Sequence, residues 1–149
     1  MLPAAASLCL AAMAGDDAKE LPDGPGKEIV VKACIDCHGA ANFRKMRLTE
    51  DEWWERIGDM VDRGAKANDQ EQTAIVAYLA KYFGKDAKVD MNTAPHSELI
   101  VVLGFTGPES QAIVTWREGN GNFKEWRDLL KVPGLDAKKV EAKKEMMAF

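Results

Sequence analysis

Apolar positions recur along this chain at helical rather than alternating spacing. After the turn-forming Leu21-Pro22-Asp23-Gly24-Pro25-Gly26, Ile29, Val30 and Ala33 lead at that spacing into Cys34, which predicts a first helix ending at a cysteine pair. A second start follows at Thr49-Glu50-Asp51-Glu52, where the Thr hydroxyl is placed to cap the third helical amide and Glu52 to reach back to the cap. Trp53, Ile57, Met60 and Val61 then share one face, and Gly64 ends the helix. A third start, Asp69-Gln70-Glu71-Gln72, precedes a buried stripe of Ile75, Val76, Leu79, Tyr82 and Phe83, with Gly84 as the stop. No stretch alternates well enough to predict a strand, so the expected fold class is all-α.

Residues 85–88 are charged and lack large apolar side chains, which places a domain boundary there. The units expected are 16–85 and 89–149. In the second, Asn92-Thr93 caps a helix running to Leu103, and Gly104-Phe105-Thr106-Gly107-Pro108 is a tight turn. Pro108 suits the first position of a helix carrying Ala112, Ile113 and Trp116. After the turn Gly119-Asn120-Gly121-Asn122, a short helix is expected over Phe123–Leu130, then the turn Pro133-Gly134 and a lysine-rich helix over Ala137–Met147.

The first fourteen residues, MLPAAASLCLAAMA, stand apart from both units. They are uncharged and too short to span a bilayer, and Ala12-Met13-Ala14 supplies a small-x-small cleavage pattern. An export signal is the expectation, without the usual N-terminal positive charge. A buried apolar helix and a retained membrane anchor are the alternatives, while Leu8 before Cys9 makes a poor lipoprotein site. Cleavage after Ala14 would leave two cysteines in a periplasmic or extracellular protein with no transmembrane span.

Composition narrows the classes. The 149 residues are 30% charged with a net charge of -4, which excludes a multi-span membrane protein and a strongly basic nucleic-acid binder. The acidity belongs to residues 16–84, with 10 basic and 14 acidic side chains, whereas residues 85–149 hold 10 of each. Three cysteines cannot build several disulfides or a four-cysteine zinc site.

The chemistry concentrates at Cys34-Ile35-Asp36-Cys37-His38, the C-x-x-C-H pattern of c-type haem attachment. Two cysteines three apart on a helical turn point to one side, placed to form thioethers with the two vinyl groups of one haem. The next residue, His38, then supplies the proximal iron ligand. A unit of about 70 residues is marginal on its own, and a buried haem would complete its core. The same pair could instead form an ordinary disulfide or a redox dithiol, or hold zinc with His96 or a carboxylate. Met46, Met60, Met91 and His96 are candidates for the second iron ligand. Met60 is preferred for its place on the face of Trp53 and Ile57, and the alternative for it is a plain core methionine. A thioether opposite imidazole closes the iron to substrates and favours electron transfer.

Residues Leu21 to Gly84, through LPDGPGKEIVVKACIDCHGAANF, the run from Trp53 to Met60-Val61-Asp62-Arg63-Gly64-Ala65, and Ile75-Val76-Ala77-Tyr78-Leu79, resemble a class I monohaem cytochrome c domain of the kind attached to exported dehydrogenases. The resemblance implies Cys34 and Cys37 as haem-bearing residues, with His38 and Met60 as axial ligands.

Residues 89–149 are similar to the helix-hairpin-helix domain of bacterial competence DNA receptors, on Val89-Asp90-Met91-Asn92-Thr93-Ala94, Gln111-Ala112-Ile113-Val114, Trp116-Arg117-Glu118, Gly121-Asn122-Phe123 and Asp128-Leu129-Leu130-Lys131-Val132-Pro133-Gly134. In that family two Gly-apolar-Gly hairpins present helix N-terminal amides to DNA phosphates, helped by lysines. Here Thr106 stands at the second glycine of the first hairpin with Glu109 near the usual lysine, and Asp136 follows Gly134-Leu135 in the second. Both changes argue against phosphate binding, and the absence of excess positive charge implies a small electrostatic contribution to DNA affinity. Lys138, Lys139, Lys143 and Lys144 form a basic stretch that reads first as a solvated helix face.

The resulting expectation is an exported monohaem cytochrome c with one covalent haem c. It carries single electrons to or from a partner such as an exported dehydrogenase or terminal reductase, and is not an enzyme. Its helix-hairpin-helix module is degenerate and serves docking. The alternative is a cell-surface DNA-binding helix-hairpin-helix protein fused to a haem domain; a ligand-sensing or peroxide-handling haem protein is a third.

Overall fold

A computed structural model describes residues 18–35 and 37–149. The expected export signal over residues 1–14, its cleavage site and Cys9 lie outside the described residues, as does Asp36. The fold is all-α, apart from one short pair of strands.

In the first lobe, α1 (Lys27–Val30) continues without a break into a π-helical turn over Val31–Ile35 that carries Cys34. The expected helix does reach the cysteine, but with a widened last turn, a distortion that concentrates at functional sites. A single turn, α2 (Ala41–Arg44), follows the C-x-x-C-H segment. Next, α3 (Glu50–Asp62) opens with the predicted capping box, in which Thr49 Oγ1 accepts from Glu52 N–H and Glu52 accepts from Thr49 N–H at 2.8 Å. Trp53 and Ile57 are buried on its inner face, whereas Met60 and Val61 stay partly exposed.

The next helix, α4 (Asp69–Phe83), is capped by Asn68 rather than Asp69, in a reciprocal pair with Glu71 at 2.9 Å in each direction. It buries Ile75, Val76, Leu79 and Phe83 as the periodicity predicts, but Tyr78 is buried in place of the expected Tyr82, which stays partly exposed. The Tyr78 hydroxyl donates to the Pro22 carbonyl at 2.6 Å, fastening the proline turn to this helix. Both α1 and α3 pack on α4, and Leu21, Val30, Ile35, Ala40 and Phe43 complete this core.

The second lobe closes its chain on itself. Strand β1 (Val89–Asp90) pairs in parallel with β2 (Met147–Ala148), an element two residues long and so without any alternation to read. The helix expected over Ala137–Met147 therefore stops early, as α7 (Ala137–Lys143) and a 3-10 turn (Lys144–Met146) that turns the chain into β2.

Helix α5 (His96–Val101) is shorter than expected and follows Pro95 without a side-chain cap. Its expected caps work elsewhere: the Asn92 amide bonds both backbone groups of Phe123, and the Thr93 hydroxyl accepts from Arg44. Helix α6 (Gly107–Asn120) starts one residue before Pro108, and Trp126–Lys131 forms a 3-10 segment in place of the helix expected over Phe123–Leu130. Met91, Leu99, Leu103, Phe105, Ile113 and Leu129 are buried in this core, while the Trp116 ring stacks on Phe123 with centroids 4.7 Å apart.

The two cores meet at a buried ion network. Arg44 of α2 and Glu98 of α5 are each 1% exposed and pair at 2.9 Å, and Arg47 reaches the other Glu98 oxygen at 2.7 Å. Arg44 also donates to the Glu20 carbonyl and to Thr93 Oγ1, and Arg47 to the Ala87 carbonyl. Both guanidinium groups lie against the Phe83 ring. Such a network holds only when every charge has its partner, since leaving one buried ion unpaired costs ~3–5 kcal/mol.

Candidate functional site

The α1 to π-turn segment and α3 leave a divided cleft between them. Two cavities of about 200 and about 250 Å³ share Cys34, His38, Ile57 and Met60 in their walls. The first is otherwise closed mainly by Ala33, Val61, Ala65, Ala67 and Ile75, with Cys37 at its edge. The second adds the polar side chains of Asn42, Lys45 and Arg56. Neither Cys34 nor Cys37 is in a disulfide. Burial, and secondarily the nearby Cys37, push the Cys34 thiol up to about 11. It therefore remains protonated near neutral pH, which disfavours dithiol exchange by this side chain. Among the described residues, no three His, Cys, Asp or Glu side chains cluster in a way that could hold a metal ion.

Cys34, Cys37, His38 and Met60 are thus brought to one cleft. Of the other candidate ligands, Met46 lines only the second cavity. Met91 is fully buried in the second lobe, and His96 Nδ1 is 2.9 Å from Ser110 Oγ, so the fold removes both from the cleft. The partial exposure of Met60 and Val61 follows from the cavity they face.

Sequence reasoning treated Trp53 only as core. It is 1% exposed, yet its Nε1 has no hydrogen-bond partner among the described residues, and the side chain walls the second cavity. A buried indole N–H without an acceptor is costly and calls for an acceptor from outside the chain. Periodicity places the ring but carries no information about its nitrogen.

The second lobe presents two glycine hairpins. Gly104 and Gly134 have φ of 73° and 85°, a region that favours glycine, and open space lies where a side chain would stand on each. Thr106 caps α6 in a capping box with Glu109, whose carboxylate accepts from Thr106 N–H at 2.7 Å. Asp136 accepts from the Lys138 amide at 2.9 Å. The hairpins are tied together by Lys139, which donates to Glu109 at 2.6 Å and lies over the Phe105 ring. This contact, chiefly, holds the Glu109 carboxyl below its usual range. The residues that depart from Gly-apolar-Gly therefore cap the helices and preserve the hairpin geometry.

Residues 84–147 match the family model described as the helix-hairpin-helix motif. Among curated proteins, the chain is 40% identical over 58 residues to ComE operon protein 1 of Bacillus subtilis (strain 168), covering 39% of this chain and 28% of that protein. It is 45% identical over 53 residues to Protein YhgF of Escherichia coli (strain K12), covering 36% of this chain and 7% of that protein. The chain therefore spans less than a third of the length of either relative. No solved structure matches it.

These matches correct the functional expectation. The single-electron carrier with a degenerate docking module put the protein's function in the first lobe, whereas the family match lies on the second. Both glycine turns of the matched segment are formed, and the matches favour the helix-hairpin-helix part of the alternative reading over the electron carrier.

Proposed function

We propose that this chain is a DNA-binding protein whose helix-hairpin-helix lobe contacts the duplex phosphate backbone, joined to a lobe that carries one covalent haem c. The observation that carries the DNA reading is the family match over residues 84–147, together with two open glycine hairpins held side by side. Contact would be through the backbone and independent of sequence. Exposed Lys138, beside the second hairpin, is the cation best placed to help. The cap at Thr106 and the Lys139 to Glu109 pair occupy groups that would otherwise face phosphate, so affinity is modest. The uncharged Ala-rich start supports action outside the cytoplasm, and no helix among the described residues is long and apolar enough to cross a membrane.

The cleft residues fit the haem. Cys34 and Cys37 would hold it by thioethers, His38 and Met60, which line the same cleft, would be its iron ligands, and the Trp53 N–H, unpartnered among the described residues, suits an acceptor-bearing cofactor. When bound, such a group supplies a redox-active iron. The chain's own part would be to fasten the group through Cys34 and Cys37, ligate it through His38 and Met60, and exclude water with Ile57, Val61 and Ile75.

A titration of the haem-loaded chain with duplex DNA across a salt series tests the DNA reading. Affinity should fall with salt at a slope corresponding to about 2–4 neutralised phosphates, and Lys138→Glu should weaken it for all sequences alike. No binding at low salt overturns it. Intact mass after expression with a haem-attachment system tests the cofactor, and an unmodified mass overturns that half.

A further inference from the structure

Residues 42–47 serve two structures at once. Asn42, Phe43, Lys45 and Met46 wall the second cavity, while Arg44 and Arg47, interleaved with them, grip Glu98 of α5. Arg47 also donates to the Arg44 and Met46 carbonyls at 2.7 and 2.8 Å, bracing the backbone of the cavity wall itself. The other partners of the two guanidiniums are Thr93 Oγ1 and the carbonyls of Glu20 and Ala87. Among the described residues Glu98 is the carboxylate paired with both, from 1% exposure, and it belongs to the helix-hairpin-helix lobe. A wall of the cleft is therefore held from the lobe that would bind DNA.

We infer that Glu98 is a positioning residue for the cysteine-lined cleft, and that through it the occupancy of the cleft and the order of α5 are linked. The inference rests on the haem reading above. A group that orders residues 42–46 also fixes Arg44 and Arg47, and so holds Glu98 and α5. Linkage requires the reverse as well: losing the Glu98 charge loosens the cavity wall. Arg44 is as buried as Glu98, each 1% exposed, so removing the Glu98 charge leaves a buried guanidinium without its carboxylate, a costly state that the cavity wall must relax to relieve.

Hydrogen exchange of the α5 amides would be compared between the haem-loaded chain and the full-length Cys34→Ser/Cys37→Ser chain, which cannot attach haem. Haem attachment should slow exchange in α5, with an effect within the range of about 5- to 150-fold usual for coupled sites. Glu98→Gln, of the same shape, should abolish that difference and speed trypsin cleavage after Lys45. Thr93→Val, which removes one hydrogen bond and no charge, should reduce it partially and keeps the test open if Glu98→Gln does not fold. A merely structural role for Glu98 would lower protection in both chains equally and leave the haem-dependent difference intact. A haem-loaded chain with α5 exchange equal to that of the Ser variant overturns the inference and leaves the haem reading standing. An unmodified mass overturns both.

Discussion

The two lobes are of similar size and both helical, yet their interiors differ. Residues 89–149 close around a core in which Met91, Leu99, Leu103, Ile113 and Leu129 are fully buried, with the chain end pinned by β1 and β2. Residues 21–84 enclose two cavities and a thiol raised by burial, while each lobe holds one buried polar atom unpartnered among the described residues, Trp53 Nε1 in the first and Ser97 Oγ in the second. A small domain has little core to spare, so cavities and an unpartnered donor weigh more heavily on it than on a large one. The helix-hairpin-helix model matches the closed lobe, and the C-x-x-C-H segment lies in the lobe with the cavities.

Core truncation should break the comparison most forcefully. Leu99→Ala in the closed lobe should cost ~2–5 kcal/mol by denaturant unfolding. Ile57→Ala, which enlarges existing cavities, should cost the haem-free chain less; equal losses would mean that the first lobe is packed as well as the second. Trp53→Phe comes next, since it removes a donor whose burial without a partner costs ~1–3 kcal/mol. It should leave the haem-free chain as stable or slightly more so, and destabilise the haem-loaded chain; a loss of stability in both would show that the indole nitrogen is already satisfied.

Smaller effects distinguish the hairpins. Thr106→Gly restores the glycine of the hairpin pattern and should cost only a few tenths of a kcal/mol at the cap, while raising DNA affinity and the salt slope. Unchanged affinity would mean that α6 does not face phosphate. The smallest effect is on acid stability. The Asp128 carboxyl is lowered to about 2, chiefly by Lys131 and then by the Lys124 amide, and Glu109 is lowered by Lys139. Carboxylates lowered on folding stabilise fully above their unfolded values and lose that contribution as pH falls through the folded ones. The second lobe should therefore weaken progressively from about pH 4 towards pH 2, followed by tryptophan fluorescence, and Glu109→Gln should flatten the profile.

Legibility along the chain followed the range of the interactions. The Thr49 capping box, the buried stripe of α4 and the C-x-x-C-H motif depend on neighbours within a few residues, and each was readable. Asn92 and Thr93 have the composition of a helix cap, but Phe123 and Arg44 claim their side chains, and neither partner is near in sequence. The last helix was read too long because its final residues have helical propensity, while pairing with Val89, far away in the chain, turns them into a strand. Thr106 and Asp136 were read as losses of an anion site; their capping bonds show that they preserve the turn that such a site needs.

What the sequence determined by itself was the all-α class, the Thr49 capping box, the cysteine and histidine spacing, and the two glycine hairpins, all set by local sterics and hydrogen bonding. Only the tertiary structure decided that Met60 joins Cys34 and His38 while Met91 and His96 do not. It also left Trp53 Nε1 without an acceptor and placed Glu98 between two arginines of the other lobe. The Glu98 contacts join surfaces more than fifty residues apart in the chain, and a buried charge or unpartnered donor is defined by what surrounds it rather than by its place in the sequence.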